Sequence, residues 1–460
     1  MKILLYTFVI VFIVASCTTE PQKDYAIIKG TITNKKMDSL QLSSLIRPFF
    51  RKKIGVDSEG VFMDTIKIEE LDNFMIYDGG HLLYMYLEPG HDVTLTFDHK
   101  NIYETVNFTG KGAEINNYMF SKRKKEREML EDTDNVYKLN ESDFKLKQNE
   151  IQLASLELLE NTKNLPSSYK EKEKRNIKYT YLRKLSNYES NHAYYTKTPD
   201  FKATEGFLKE LDGLDYNNRE DFMFSPSFNS LVSSHCEKEA KKIAETEGIE
   251  KDVALLKVYN TLTDQSIKNI LFRKKAEYGI TYTSSLDAYY AEVVKGCTDK
   301  EFLNGVNESY MALKKVAAGS PSPKFMDYEN YNGGTTSLDD LKGKYIYIDV
   351  WATWCGPCKA EIPHLKKVES LYHDKNIEFV SISLDVTKHR DKWKKMVADK
   401  ELGGIQLLAD NAFKSQFIQD YYIKGIPRFI LLDPEGNIVT ANAPRPSEDQ
   451  LKALLESLNL

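Results

Sequence analysis

Trp351-Ala352-Thr353-Trp354-Cys355-Gly356-Pro357-Cys358-Lys359 is the stretch on which the reading of this chain turns. It follows Lys344-Tyr345-Ile346-Tyr347-Ile348-Asp349-Val350, an apolar run that predicts a strand. The segment from about Pro357 to His373 then reads as a helix. If that helix starts between the two cysteines, Cys355 sits at its N-terminus. Unpaired N–H groups and the helix dipole favour a thiolate there. Cys358 falls one turn later on the same face, close enough to close a ring with Cys355. Pro357 suits the first turn, because its missing N–H has no intrahelical partner at that point. Disulfide exchange needs a stabilised thiolate and a nearby thiol to resolve the mixed disulfide. The spacing follows from that chemistry.

Working outward, the alternation of strand and helix continues. Ile377 to Ser383 reads as a strand, Lys388 to Lys400 as a helix, and Arg428 to Leu432 as a third strand. That strand turns at Asp433-Pro434-Glu435-Gly436-Asn437 into Ile438-Val439, and an amphipathic helix from Glu448 to Leu458 closes the chain. These elements predict an α/β sandwich around a mixed sheet over residues 319–460. Ala318 to Pro323 is a short linker of small and turn-forming residues. Residues 111–318 read as a helical domain, with apolar residues at three- and four-residue spacing and breakers at Pro166, Pro199 and Pro226. Residues 25–110 read as a small antiparallel β sandwich or barrel, with strands at Ala26–Thr33, Leu82–Leu87 and Val93–Phe97. The expected class is multidomain: β-rich, then helical, then α/β.

With 460 residues the chain is too long for one core. A net charge of −5 argues against nucleic acid as a partner, since phosphate binding wants a basic field. The N-terminus stands apart. Met1-Lys2 precedes an apolar run from Ile3 to Ala15, too short to span a bilayer, which reads as a signal peptide over residues 1–16. Its end, Val14-Ala15-Ser16-Cys17, resembles the bacterial lipobox, which implies lipid attachment at Cys17 and a polar tether over residues 17–24. Five cysteines in so long a chain do not make a disulfide scaffold. Cys236 and Cys297 stand alone, which leaves buried thiols as the default and a disulfide between them open.

The run from Trp351 to Lys359 resembles the active-site run of the thioredoxin family, and Gly425-Ile426-Pro427 resembles that family's cis-proline element. Cys358-Lys359-Ala360-Glu361-Ile362-Pro363 and an extra helical stretch before Ala409-Asp410 are similar to the TlpA- and ResA-like branch. The resemblance covers roughly Pro323 to Leu460 and implies a thioredoxin-like fold. In pattern alone, residues 25–110 are similar to the β-rich domain often attached to such envelope lipoproteins.

The family implies that Cys355 attacks, Cys358 resolves, and Pro427 faces the dithiol while Ile426 offers its backbone to a peptide. Trp354, Gly356 and Pro357 would line the substrate rim. Asp349 matches the buried acid of thioredoxins and Glu361 the active-site glutamate of the ResA-like branch, which usually has a neutral residue at the Asp349 place. Either acid could take the proton of Cys358. Glu361 is favoured here, because a side chain one turn beyond Cys358 can reach the dithiol.

The resemblance further implies a protein-disulfide reductase of the cell envelope, facing the periplasm or the surface. Its only redox group would be the Cys355–Cys358 disulfide, with no organic cofactor. Its partners would be disulfide-containing proteins, a membrane dithiol protein as electron donor, and the membrane itself through the lipid. The alternative is an envelope binding or assembly lipoprotein that uses the fold mainly to dock a partner. No metal is expected: a structural zinc at the CxxC would need two further ligands, and His364 and His373 lack a partner set.

Overall fold

The computed structural model describes residues 23–47, 49–68, 72–458 and 460. The expected signal peptide, Cys17 and most of the expected tether lie outside the described residues. No described helix is long and apolar enough to cross a membrane. The chain divides into two compact units between Val232 and Ser233. The helical stretch expected over 111–318 is therefore shared between the two units.

The first unit opens with eight strands: β1 (Tyr25–Thr33), β2 (Ser39–Ser44), β3 (Arg51–Gly55), β4 (Val61–Lys67), β5 (Asp72–Tyr77), β6 (Leu82–Leu87), β7 (Asp92–Asp98) and β8 (Asn107–Lys111). They form two four-stranded sheets, ordered β4-β1-β7-β8 and β3-β2-β5-β6. Alternate residues of β1 and β7 turn inward, so Ala26, Ile28, Ile32, Val93, Leu95 and Phe97 share one core with Leu42 and Phe74 of the other sheet. The sandwich is not wholly antiparallel as expected, because β1 and β7 pair in parallel. A parallel pair needs a long crossover, and the excursion through β2 to β6 supplies it.

Helices follow at Ala113–Glu128, Glu141–Asn161, Ser167–Ser186 and Tyr188–Thr196. The expected breakers fall at or between helix ends. Pro166 caps Ser167–Ser186 and Pro226 opens the helix Pro226–Glu247, where neither needs to donate an N–H.

The second unit carries helices Lys251–Thr261, Gln265–Gly279, Leu286–Gly296 and Lys300–Lys314 ahead of its sheet. Cys236 and Cys297 are buried free thiols. The sheet is built from β9 (Tyr328–Asn330), β10 (Thr335–Thr336), β11 (Tyr345–Trp351), β12 (Ile377–Ser383), β13 (Ile405–Leu408), β14 (Arg428–Leu432) and β15 (Ile438–Thr440). Its order is β10-β9-β13-β12-β11-β14-β15. β11, β12 and β13 run parallel, and β14 pairs antiparallel with β11. Helices Gly356–Tyr372, Arg390–Asp399 and Asp449–Glu456 complete a thioredoxin-like domain. β11 is central and covered on both faces, which is why its sequence reads as one apolar run rather than an alternation.

Candidate functional site

The period of two along β11 sends Ile346, Ile348 and Val350 into one core and Tyr347, Asp349 and Trp351 toward the other face. The helix Gly356–Tyr372 covers that second face, with Leu365 packed into the cluster of Tyr347. Its inward stripe is Cys358, Glu361, Leu365 and Glu369, set three and four residues apart. The strand thus carries one acid and the helix two acids and a thiol to the same side. Pro363 lies inside this helix and cannot donate an N–H to its ladder.

Cys355 is the N-cap of that helix, and its Sγ accepts the N–H of Cys358 at 3.1 Å. The two cysteines are joined in a disulfide with their Cα atoms 5.3 Å apart. Each is only 4% exposed, so contact with a partner must come over the rim. Gly356 and Pro357 are exposed at the helix start. Trp354 is 53% exposed, and its ring lies 6.3 Å from that of Phe413. The Ile426–Pro427 bond is cis. Ile426 packs on the cluster that holds Trp351, both cysteines and Trp393, so the loop and the dithiol form one surface.

The carboxylates differ in what they face. Burial, then the charges of Glu369 and Glu361, push the Asp349 carboxyl up to about 8. Burial pushes Glu369 up to about 7, against the opposing pull of Lys366. Glu361 is engaged elsewhere: one oxygen accepts the N–H of Ser447 at 3.0 Å and the other its hydroxyl at 2.9 Å. It ties the dithiol helix to the loop before the last helix.

Three features of the site were not read from the sequence. Buried Asp385 accepts both the N–H (2.8 Å) and the hydroxyl (2.7 Å) of Thr353, and also the hydroxyl of Ser383 (2.8 Å). That network fixes the loop leading into Cys355. Glu369, the second raised acid, sits three turns beyond Cys358 and would have followed from extending the helical stripe. Tyr282 comes from the turn after the helix Gln265–Gly279. A Cβ at Gly425 would lie 2.7 Å from the Tyr282 hydroxyl, so a larger residue there would force the Tyr282 ring or the cis-proline loop to shift. The buried Arg428 guanidinium lies over the Tyr282 ring, 4.2 Å from its centre, and donates to Asn442 at 3.0 Å. Asn442 in turn donates to the Tyr282 carbonyl.

Residues 317–455 match the Redoxin family. The chain is similar to the thiol-disulfide oxidoreductase ResA of Bacillus cereus, 27% identical over 145 residues, which is 32% of this chain and 80% of that protein. It is likewise 27% identical to ResA of Bacillus subtilis, over 29% of this chain and 71% of that one. Among solved structures, the thioredoxin domain of a thiol-disulfide oxidoreductase from Bacteroides vulgatus is 33% identical, with a TM-score of 0.28, covering 30% of this chain and 96% of that domain.

Proposed function

We propose, from the premise that the C-terminal third is a Redoxin domain of thioredoxin-like fold and a thiol–disulfide oxidoreductase, that this protein reduces protein disulfides in the cell envelope. The observation that carries the reading is the Cys355–Cys358 disulfide at a helix start, packed with Ile426 of the cis-proline loop.

In the reduced protein the Cys355 thiolate, favoured by the helix N-terminus, attacks one sulfur of the substrate disulfide. A mixed disulfide forms and the other substrate sulfur leaves as a thiolate. Cys358 then gives up its proton and attacks Cys355 Sγ, which expels the second substrate thiolate. Two electrons have moved to the substrate, and the Cys355–Cys358 disulfide is left behind. We assign the proton acceptance to Asp349 rather than Glu361. What supports this is a carboxyl held near 8 on the face below Cys358, while both oxygens of Glu361 hold Ser447. A donor dithiol at the membrane would restore the reduced pair. The Gly-Pro dipeptide resembles that of thioredoxin, whose potential is about −270 mV, rather than the oxidising enzymes near −120 mV, and this favours reduction. The envelope location rests on the lipobox resemblance at Cys17.

An insulin-reduction assay with dithiothreitol tests the activity, and Cys358→Ala should accumulate mixed disulfides with its substrates. If the wild-type chain gives no acceleration over dithiothreitol alone, the domain docks partners and the reductase reading is lost.

A further inference from the structure

We propose that Asp78, His81 and His99 form a zinc-binding site at one end of the β sandwich. The turn Asp78-Gly79-Gly80-His81 joins β5 to β6, closed by the Asp78 N–H on the His81 carbonyl at 3.3 Å. Asp78 Oδ1 accepts the N–H groups of Gly80 (3.0 Å) and His81 (2.7 Å). That spends one oxygen on the turn and fixes the plane of the carboxylate, as the outer shell of a metal site does. The other oxygen, Oδ2, lies 2.7 Å from His99 Nδ1 and 3.3 Å from His81 Nδ1. All three ligand atoms lie within 4.8 Å of one another.

His99 reaches this point from the other sheet. It follows β7 directly, and its N–H is tied to the Thr33 carbonyl at 3.0 Å. The turn makes room for it. A Cβ at Gly80 would come within 2.9 Å of His99 Cε1 and 3.4 Å of its Nε2, so any other residue would push the ring away. One imidazole is enough to satisfy a carboxylate oxygen. Two, brought from different sheets onto the same oxygen, make a convergent ligand set.

Two imidazole nitrogens and one carboxylate oxygen are a donor set suited to zinc, with the fourth position left to water. The exposures fit that assignment. Asp78 is buried, whereas the His99 and His81 side chains are 15% and 31% exposed, which leaves an open side. Without an ion, each Nδ1 must carry a proton to bond to the carboxylate. With zinc, the Nδ1 lone pairs turn to the ion and the protons sit on Nε2. Uptake by neutral imidazoles therefore exchanges tautomers and releases no proton from them. The ion would clamp β5 and β6 of one sheet to β7 of the other.

The experiment is calorimetric titration of zinc chloride into the full chain, stripped of metal and kept oxidised at Cys355–Cys358, because a reduced dithiol is itself a zinc ligand. We expect one equivalent with micromolar or tighter affinity, and an X-ray absorption shell of nitrogen and oxygen alone at about 2.0–2.1 Å. His81→Gln, on the exposed rim, and Asp78→Asn, which keeps the turn acceptor, should each weaken binding at least about tenfold. Both should also show a smaller zinc-dependent rise in melting temperature at the same zinc concentration. If the His81→Gln/His99→Gln double variant binds zinc as tightly as the wild type, or if the wild type binds none, the three residues are a hydrogen-bonded cluster and the site does not exist.

Discussion

Glu173 and Asp349 are both carboxylates taken out of water, and the two units of the chain treat them in opposite ways. Glu173, in the helix Ser167–Ser186, is 2% exposed. It meets the Lys122 ammonium and accepts from the Tyr118 hydroxyl at 3.2 Å and from Asn176 Nδ2 at 2.8 Å. Burial alone would pull Lys122 down, and the Glu173 charge holds it up. Asp349 is buried beside two further acids and makes no ion pair among the described residues. Its carboxyl rises to about 8. A buried charge with its partner in place belongs to the framework; a buried acid left without one is poised to exchange a proton near neutral pH.

The comparison breaks first in kinetics. Asp349→Asn should slow the resolving step, by on the order of 10²–10⁴-fold near neutral pH, and spare the first attack by Cys355. In the wild type the base form of Asp349 grows as pH rises through about 8, so the resolving rate should climb over that range. In the variant the climb should move up to the ordinary thiol value of about 8.5 or above. Single-turnover reduction of a peptide disulfide, followed against pH, reads both effects. Glu361→Gln is expected to keep the climb, moved to lower pH because one of the two charges that raise Asp349 is gone. If it alone loses the climb, the helix acid is the acceptor; if neither variant does, solvent takes the proton. Glu173→Gln should leave the same profile untouched.

Stability should separate the pair with opposite signs. Glu173→Gln takes from the buried Lys122 its hydrogen-bonded counter-charge and leaves it the weaker pull of Glu126, which costs up to about 3–5 kcal/mol. Denaturant unfolding of the first unit would show it. Asp349→Asn should do the reverse. The Asp349 carboxyl binds its proton more tightly when folded than in the unfolded chain, where its value is near 3.8. Its folded state is therefore penalised progressively as pH rises from about 4 through about 8. Removing the acid should stabilise the oxidised protein at pH 8 by on the order of a few kcal/mol, and by much less at pH 5. A gain in stability joined to a loss in rate is the mark of a group kept for chemistry.

What the sequence disclosed follows from how its signals are spaced. Cys355, Pro357 and Cys358 lie within one helical turn, and Asp349 lies in the strand that leads to them, so strand, turn and dithiol were legible together. Pro427 was legible through its local Gly-Ile-Pro context. The braces were not: Asp385 meets Thr353 across 32 residues, Ser447 meets Glu361 across 86, and Asn442 meets Tyr282 across 160. No periodicity links such positions, and only the finished sheet brings them together. β13 was missed because it is four residues long and polar Gln406 interrupts it. In the β region, Asp78 and His81 sit in a Gly-Gly turn that reads as loop. His99 is 18 residues further along and belongs to the other sheet, so the cluster has no sequence signature.

The smallest expected effect concerns Tyr282, which bears on substrate binding rather than on proton transfer. Its ring carries the Arg428 guanidinium, and burial pulls Arg428 down to about 10, still well above neutral pH. Ring, guanidinium and Asn442 together hold the strand that begins directly after Pro427. Losing the ring removes a cation–π contact of about 0.5–2 kcal/mol, so Tyr282→Ala should raise KM for a protein disulfide about three- to tenfold. Tyr282→Phe keeps the ring and should stay within about twofold of the wild type. The turnover number should hold in both variants, because neither alters the dithiol or Asp349. Exchange with a small disulfide, which has no backbone to lay along Ile426, should be unaffected. A fall in turnover equal to the loss in kcat/KM would instead place Tyr282 in the chemical step and merge its role with that of Asp349.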